Sequence, residues 1–120
     1  MTIQSSSFLV LIHRAIEKCL DDPDLNVQKL TRILGMSRTD IHRKIKTNSG
    51  LSTTAYIRKV RLYKASELLK KNPATPVVDI AFKTGFGDQS YFTKRFKELF
   101  GVCPLEYRRQ SGLSKSGKRP

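Results

Sequence analysis

With 120 residues and 38% apolar side chains, the chain can build one small domain, or two very small ones sharing an element, around a modest core. Its formal charge of +13 is unevenly spread. In residues 1–26, Arg14 and Lys18 stand against Glu17, Asp21, Asp22 and Asp24, which leaves +15 on residues 27–120 and points to a polyanionic partner, nucleic acid or an anionic membrane surface. Cys19 and Cys103 lie far apart with no paired spacing, which argues against a disulfide framework or a zinc module and fits a reduced, cytoplasmic compartment.

Residues 1–7 read as a loose, disordered terminus. From Phe8 onward, Phe8, Leu11, Ile12, Ala15, Ile16 and Cys19 recur on one side of a helix, which the acidic run Asp21-Asp22-Pro23-Asp24 ends. That run lacks the alternating ligands of a calcium loop. The apolar stretch from Phe8 to Ile12 is too short for a signal peptide or a membrane span. Asn26 is placed to cap a helix carrying Val27, Leu30, Ile33 and Leu34, with Gly35 as its stop. Ser37 caps the next helix, and Asp40 three residues on makes a near capping box. In that helix Ile41 and Ile45 face inward, while Arg38, Thr39, His42, Arg43 and Lys46 face out, and Thr47-Asn48-Ser49-Gly50 closes it. Two short helices about a glycine turn, the second with a polar, basic outer face, is a helix-turn-helix plan.

Residues 52–71 follow as one long helix. Its apolar residues cover two faces: Tyr56, Ile57, Val60, Tyr63 and Leu68 on one, Leu62, Ala65 and Leu69 on the other. A helix packed on two sides suits a strut between two subdomains. Twenty residues reach roughly 30 Å at about 1.5 Å each, close to the roughly 34 Å between successive major grooves on one face of DNA. The plan then repeats. Thr75 is expected to cap a helix with Pro76 in its first turn and Val77, Ile80 and Ala81 on one face. Gly85-Phe86-Gly87 breaks it, and Asp88 caps a second helix with Phe92 and Phe96 inward and Gln89, Ser90, Thr93, Lys94 and Lys97 outward. Val27, Leu30 and Gly35 match Val77, Ile80 and Gly85 at an offset of 50. Ser37, Ile41, Ile45, Gly50 and Tyr56 match Asp88, Phe92, Phe96, Gly101 and Tyr107 at 51, so the second turn holds one extra residue. Residues 111–120 read as a disordered basic tail.

Ile80-Ala81, Gly85-Phe86, Ser90-Tyr91-Phe92, Phe96-Lys97, Gly101, Pro104 and Tyr107-Arg108 together resemble the signature of the AraC/XylS family of transcription regulators. The resemblance covers residues 8–109, and the wording around Gly35-Met36-Ser37-Arg38 and Arg43-Lys44-Ile45-Lys46 resembles output domains of hybrid two-component regulators in that family. Arg61-Leu62 with Ala65 and Leu68-Leu69 is similar to the family's linker, while Ile45, Lys94 and Cys103 depart from the usual residue. The resemblance implies an all-α fold of about seven helices: a first helix-turn-helix subdomain at 8–51, a linker helix at 52–71 and a second subdomain at 72–110. It implies sequence-specific binding of double-stranded DNA and transcription regulation, as an activator working with RNA polymerase, by a monomer whose two recognition helices enter successive major grooves.

By position, the base readers are Arg38, Thr39, His42, Arg43 and Lys46 in the first subdomain and Gln89, Ser90, Thr93 and Lys94 in the second. Arg donates bidentately to guanine, Gln pairs with adenine, and a Thr methyl meets a thymine methyl. Lys97, Arg108 and Arg109 are expected at phosphates, helped by helix N-termini near Pro76 and Pro104. No nucleophile–base pair, phosphate-cradling glycine loop or metal-ligand cluster occurs, so no catalysis, cofactor, metal or small-molecule ligand is expected. A membrane surface is disfavoured because the basic residues sit on helices committed to a core. A nucleoid-associated cytoplasmic protein is the expectation. The alternative that charge alone supports is a basic, helical RNA- or ribosome-associated protein.

Overall fold

We describe residues 3–22 and 24–117 of a computed structural model, with side chains over 7–22 and 24–112. Among the described residues there are seven α-helices and no strand: α1 Ile3–Lys18, α2 Val27–Leu34, α3 Arg38–Ser49, α4 Thr53–Lys71, α5 Val77–Lys83, α6 Gln89–Phe100 and α7 Pro104–Gly117. The all-α fold of about seven helices that the resemblance implies is the fold observed. The chain divides into two compact units, residues 1–61 and 62–120, with the division inside α4.

The first unit is built on aliphatic packing. Phe8, Ile12, Ala15 and Ile16 of α1 meet Leu30 of α2, Ile41 and Ile45 of α3, and Ile57 and Val60 of α4. Ile12, Ile16, Leu30, Ile41 and Ile45 are wholly buried, each contributing about 1.5–3 kcal/mol of apolar burial. Local chemistry sets where these helices start and stop. Asn26 Oδ1 accepts from the Lys29 amide at 3.2 Å, and Ser37 Oγ from the Asp40 amide at 3.1 Å. Gly35 and Gly50 end α2 and α3 in the left-handed region, at φ 66° and 78°, where a Cβ would be strained. Only half of the expected capping box forms, because the Asp40 carboxylate accepts from Arg43.

The second unit repeats this skeleton around rings. Leu62, Ala65 and Leu69 of α4 and Ile80 and Ala81 of α5 surround Phe86, Phe92 and Phe96. Phe92 and Phe96 lie 5.7 Å apart, Phe96 and Phe100 4.4 Å, and Tyr107 meets Phe96 edge-on at 5.3 Å. Edge-to-face and tilted contacts of this kind add to the area buried. Asp88 Oδ1 caps α6 through the Ser90 amide at 2.9 Å, and Gly101 ends it at φ 86°. The turn before α6 has a second anchor: buried Thr84 donates to the carbonyls of Ile80 and Ala81.

The repeat is longer than the helix pairs alone. Ile12 and Ala15 of α1 stand 50 residues before Leu62 and Ala65 of α4, and all four are buried in their own unit. The end of α4 therefore opens the second unit as α1 opens the first. Its start closes the first unit as α7 closes the second, with Tyr56 and Tyr107 each packed on its own core. Each closing helix also sends back an arginine. Arg61 donates to the Asp22 carbonyl, and Arg108 to the carbonyls of Leu69, Asn72 and Thr75. Asp22 and Asn72 are themselves 50 apart. Burial lowers the Arg61 guanidinium somewhat from its ordinary value, with Asp22 opposing.

Three local expectations are corrected. The N-cap of α5 is Pro76, with no side-chain bond, and not Thr75, whose carbonyl serves Arg108. Helix α1 already runs from Ile3, because no glycine or proline interrupts it before Lys18. Helix α7 continues to Gly117, its one interior glycine, Gly112, costing only about 1 kcal/mol against alanine. The remainder of the expected loose ends, residues 1–2 and 118–120, and Pro23 of the acidic run lie outside the described residues.

Candidate nucleic-acid interface

Helices α3 and α6 hold nearly all the residues singled out from the sequence. The inward stripe of each is apolar and buried: Ile41 and Ile45 in α3, Phe92 and Phe96 in α6. At a helical period this puts positions 39 and 43, and 90 and 94, on the opposite side and 42 and 93 on its flank, while 38 and 89 lie in the first turn, before the buried stripe begins. Arg38, Thr39, His42 and Arg43 are exposed along the first two turns of α3. Gln89, Ser90 and Lys94 are exposed along the corresponding turns of α6, with Thr93 half-buried. Each unit thus carries a polar patch at the N-terminal half of its second helix. That end also carries the positive pole of the backbone dipole and suits an anionic partner.

The two patches differ in how far their side chains are already engaged. Arg43 pairs with Asp40 one turn before it. His42 Nδ1 lies 2.6 Å from the Oγ1 of Thr53, a buried residue at the start of α4. In α6 neither Lys94 nor Lys97 has an ion-pair partner among the described residues, whereas Arg95 pairs with Glu98 at 3.2 Å and lies over the Tyr91 ring.

Other residues are placed away from the patches. Lys46 sits in the last turn of α3 and donates to the Gly50 carbonyl at 3.2 Å, about two turns beyond Arg38 and Thr39. Lys97, 51 residues later, occupies the same register in α6 and is exposed. Arg108, expected at a phosphate, is turned inward: its guanidinium is committed to three backbone carbonyls. Arg109 is exposed but paired with Glu106, at 3.0 Å through Nε. That pairing holds the Glu106 carboxyl below its ordinary value, with Gln110 adding a further bond.

Thr53, Thr84 and the pairing of Asp40 with Arg43 escaped the sequence reading. Asp40 could have been found from its spacing of three to Arg43 on a helix surface. Thr53 could not, since it lies eleven residues and a glycine turn from His42. Among the described residues no helix is long and apolar enough to cross a membrane, and no three His, Cys, Asp or Glu side chains gather as for a metal ion.

A family model described as a helix-turn-helix domain matches residues 30–110. The HTH-type transcriptional regulator MtrA of Neisseria gonorrhoeae is 36% identical over 99 residues, 81% of this chain and 33% of that protein. The HTH-type transcriptional activator RhaS of Enterobacter sp. (strain 638) is 32% identical over 85 residues, 71% of this chain and 30% of that protein. The chain thus spans about a third of the length of these curated relatives. The C-terminal domain of AraT, a response regulator from Geobacillus stearothermophilus, shares the fold with a TM-score of 0.72 at 34% identity, covering 82% of this chain and 80% of that one. A family match over most of the chain, two units repeated around glycine turns and the signature running from Ile80 to Arg108 lead to one assignment: the chain belongs to the AraC/XylS family of transcription regulators, as a DNA-binding domain of the double helix-turn-helix type.

Proposed function

We propose that this chain binds one DNA site as a monomer, with α3 and α6 entering successive major grooves, and regulates transcription there as an activator in contact with RNA polymerase. One observation carries the reading: each unit presents the start of its second helix as an exposed patch of donors on a rigid apolar stripe. This is the part of a helix-turn-helix that meets base edges. Two such patches on one chain remove the need for a dimer. Activation is supported by the activator named among the relatives.

Arg38, Thr39, His42 and Arg43 are assigned to bases in one groove, and Gln89, Ser90, Thr93 and Lys94 to bases in the other. Lys46 is reassigned to phosphate, because it shares the register of Lys97 beyond the last of the base readers. Lys97 and Arg109 remain phosphate contacts. Arg108 is left out, since moving it to DNA would strand three carbonyls.

The test is a titration on a selected site and on spacer variants of it, with the mass of the complex measured in parallel. The halves should lie about 10–10.5 bp apart, and five inserted pairs, which turn one half to the far side of the duplex, should reduce affinity to that of a single half-site. Full affinity on the insertion, or two chains on the intact site, would refute the reading. Structured RNA outcompeting the duplex would favour the RNA-associated alternative.

A further inference from the structure

Helix α3 contains one contact that recognition of bases does not by itself require. His42 and Thr53 meet at 2.6 Å, ring nitrogen Nδ1 to hydroxyl Oγ1, across the glycine turn that separates α3 from α4. Thr53 is only 3% exposed, and among the described residues this ring nitrogen is the one hydrogen-bond partner of its hydroxyl. A buried hydroxyl proton with no acceptor is costly, more so than an acceptor lone pair left idle. The Thr53 proton therefore goes to Nδ1. A neutral imidazole carries one proton on its two nitrogens, so with Nδ1 accepting, that proton resides on Nε2. His42 is exposed, and the edge it can offer a partner is then an N–H donor.

We propose that Thr53 is a specificity-determining positioning residue, which holds His42 in its Nε2–H tautomer and so makes it read a hydrogen-bond acceptor. In the major groove this favours bases that present an acceptor, guanine with both N7 and O6 ahead of adenine N7 and thymine O4, which stand beside an amino or a methyl group, and works against cytosine, whose N4 amino group donates. The inference rests on the assignment of α3 to base reading. The second unit lacks the device: the positions 51 residues on are Thr93 and Pro104, and proline has no hydroxyl to offer. The buried threonine makes the first patch chemically directional.

Long-range 1H–15N spectra of the free, labelled protein report the His42 tautomer without any DNA, with His42→Gln identifying its signals against those of His13. Site selection with the same chains reports base preference. Thr53→Val keeps the shape and removes the hydroxyl, and Thr53→Ser restores it. The native chain and Thr53→Ser should show the Nε2–H tautomer. Thr53→Val should show a mixture, with the preference for guanine relaxed about fivefold at one base pair, the worth of one neutral hydrogen bond, and other positions unchanged. An Nδ1–H tautomer in the native protein overturns the proposal, whether or not Thr53→Val folds. So does a Thr53→Val chain that keeps both tautomer and preference. If the tautomer is as expected but His42→Gln leaves every base preference intact, the base-reading role of His42 fails. The proposal then falls for a reason distinct from the tautomer.

Discussion

The two units are one skeleton filled in two ways. Gly35, Gly50 and Leu30 in the first have their counterparts in Gly85, Gly101 and Ile80, and the three wholly buried side chains Leu30, Ile41 and Ile45 answer to Ile80, Phe92 and Phe96. Where the first core is aliphatic, the second is a chain of rings from Phe86 to Tyr107. Where the first outer patch has Arg43 held by Asp40 and His42 held by Thr53, the second has Lys94 without an ion-pair partner among the described residues. The same backbone plan tolerates either core because a helix-turn-helix asks only for an apolar stripe and a permissive glycine. The outer faces are free to diverge because the apolar stripes do not depend on them.

Core truncation should separate the units most. Phe96→Ala should lose about 3–5 kcal/mol, more than Ile45→Ala at the equivalent position, since it removes a ring packed against Phe92, Phe100 and Tyr107. Denaturant melts followed by circular dichroism check this, and equal losses would mean the ring network adds nothing beyond volume. The arginine clamps come next. Arg61→Ala and Arg108→Ala should each cost about 1–2 kcal/mol by taking the charged donor from part-buried carbonyls. Hydrogen exchange should show lost protection confined to residues 1–61 in one variant and 62–120 in the other. Arg109→Ala, beside Arg108 but exposed, should lower the melt far less, losing only its surface pair with Glu106, and a comparable loss there would remove the distinction between the neighbours.

At the patches, Arg43→Ala should lose about 1–3 kcal/mol of binding at one base position. Lys97→Ala should instead weaken all sequences alike and flatten the salt dependence. If both act uniformly in site selection, Arg43 does not read a base. The smallest effect is on acid stability. A hydrogen bond from Lys29 lowers the Asp22 carboxyl below its usual 3.8, and Arg109 lowers Glu106 below its usual 4.5. A depressed folded value means each pair stabilises fully above the unfolded value and loses that contribution as pH falls through the folded one. Melting midpoints should therefore fall below about pH 4.5, and Asp22→Asn should flatten the part of that fall belonging to the first unit. A pH-independent melt between 2 and 5 would contradict both pairings.

Much of the fold could be read along the chain because it depends on neighbours. The caps at Asn26, Ser37 and Asp88, the left-handed glycines and the inward stripes are local chemistry, and the offset of 50 then 51 made each unit a check on the other. Thr75 does not cap α5: the adjacent Pro76 takes the N-cap position, and the Thr75 carbonyl meets an arginine 33 residues away.

What the sequence determined by itself was the helices, the repeat and the side of α3 and α6 left exposed, all consequences of spacing along a 3.6-residue period. Tertiary structure alone decided which exposed-looking cations are available. Arg108 and Arg109 are adjacent and chemically identical, yet one is folded onto the carbonyls of Leu69, Asn72 and Thr75 while the other stands in solvent beside Glu106. The same holds for His42, whose ring state is set by a threonine that only folding brings to it. The reason is that a buried carbonyl or hydroxyl must find a partner wherever the chain supplies one, and that demand is set in three dimensions.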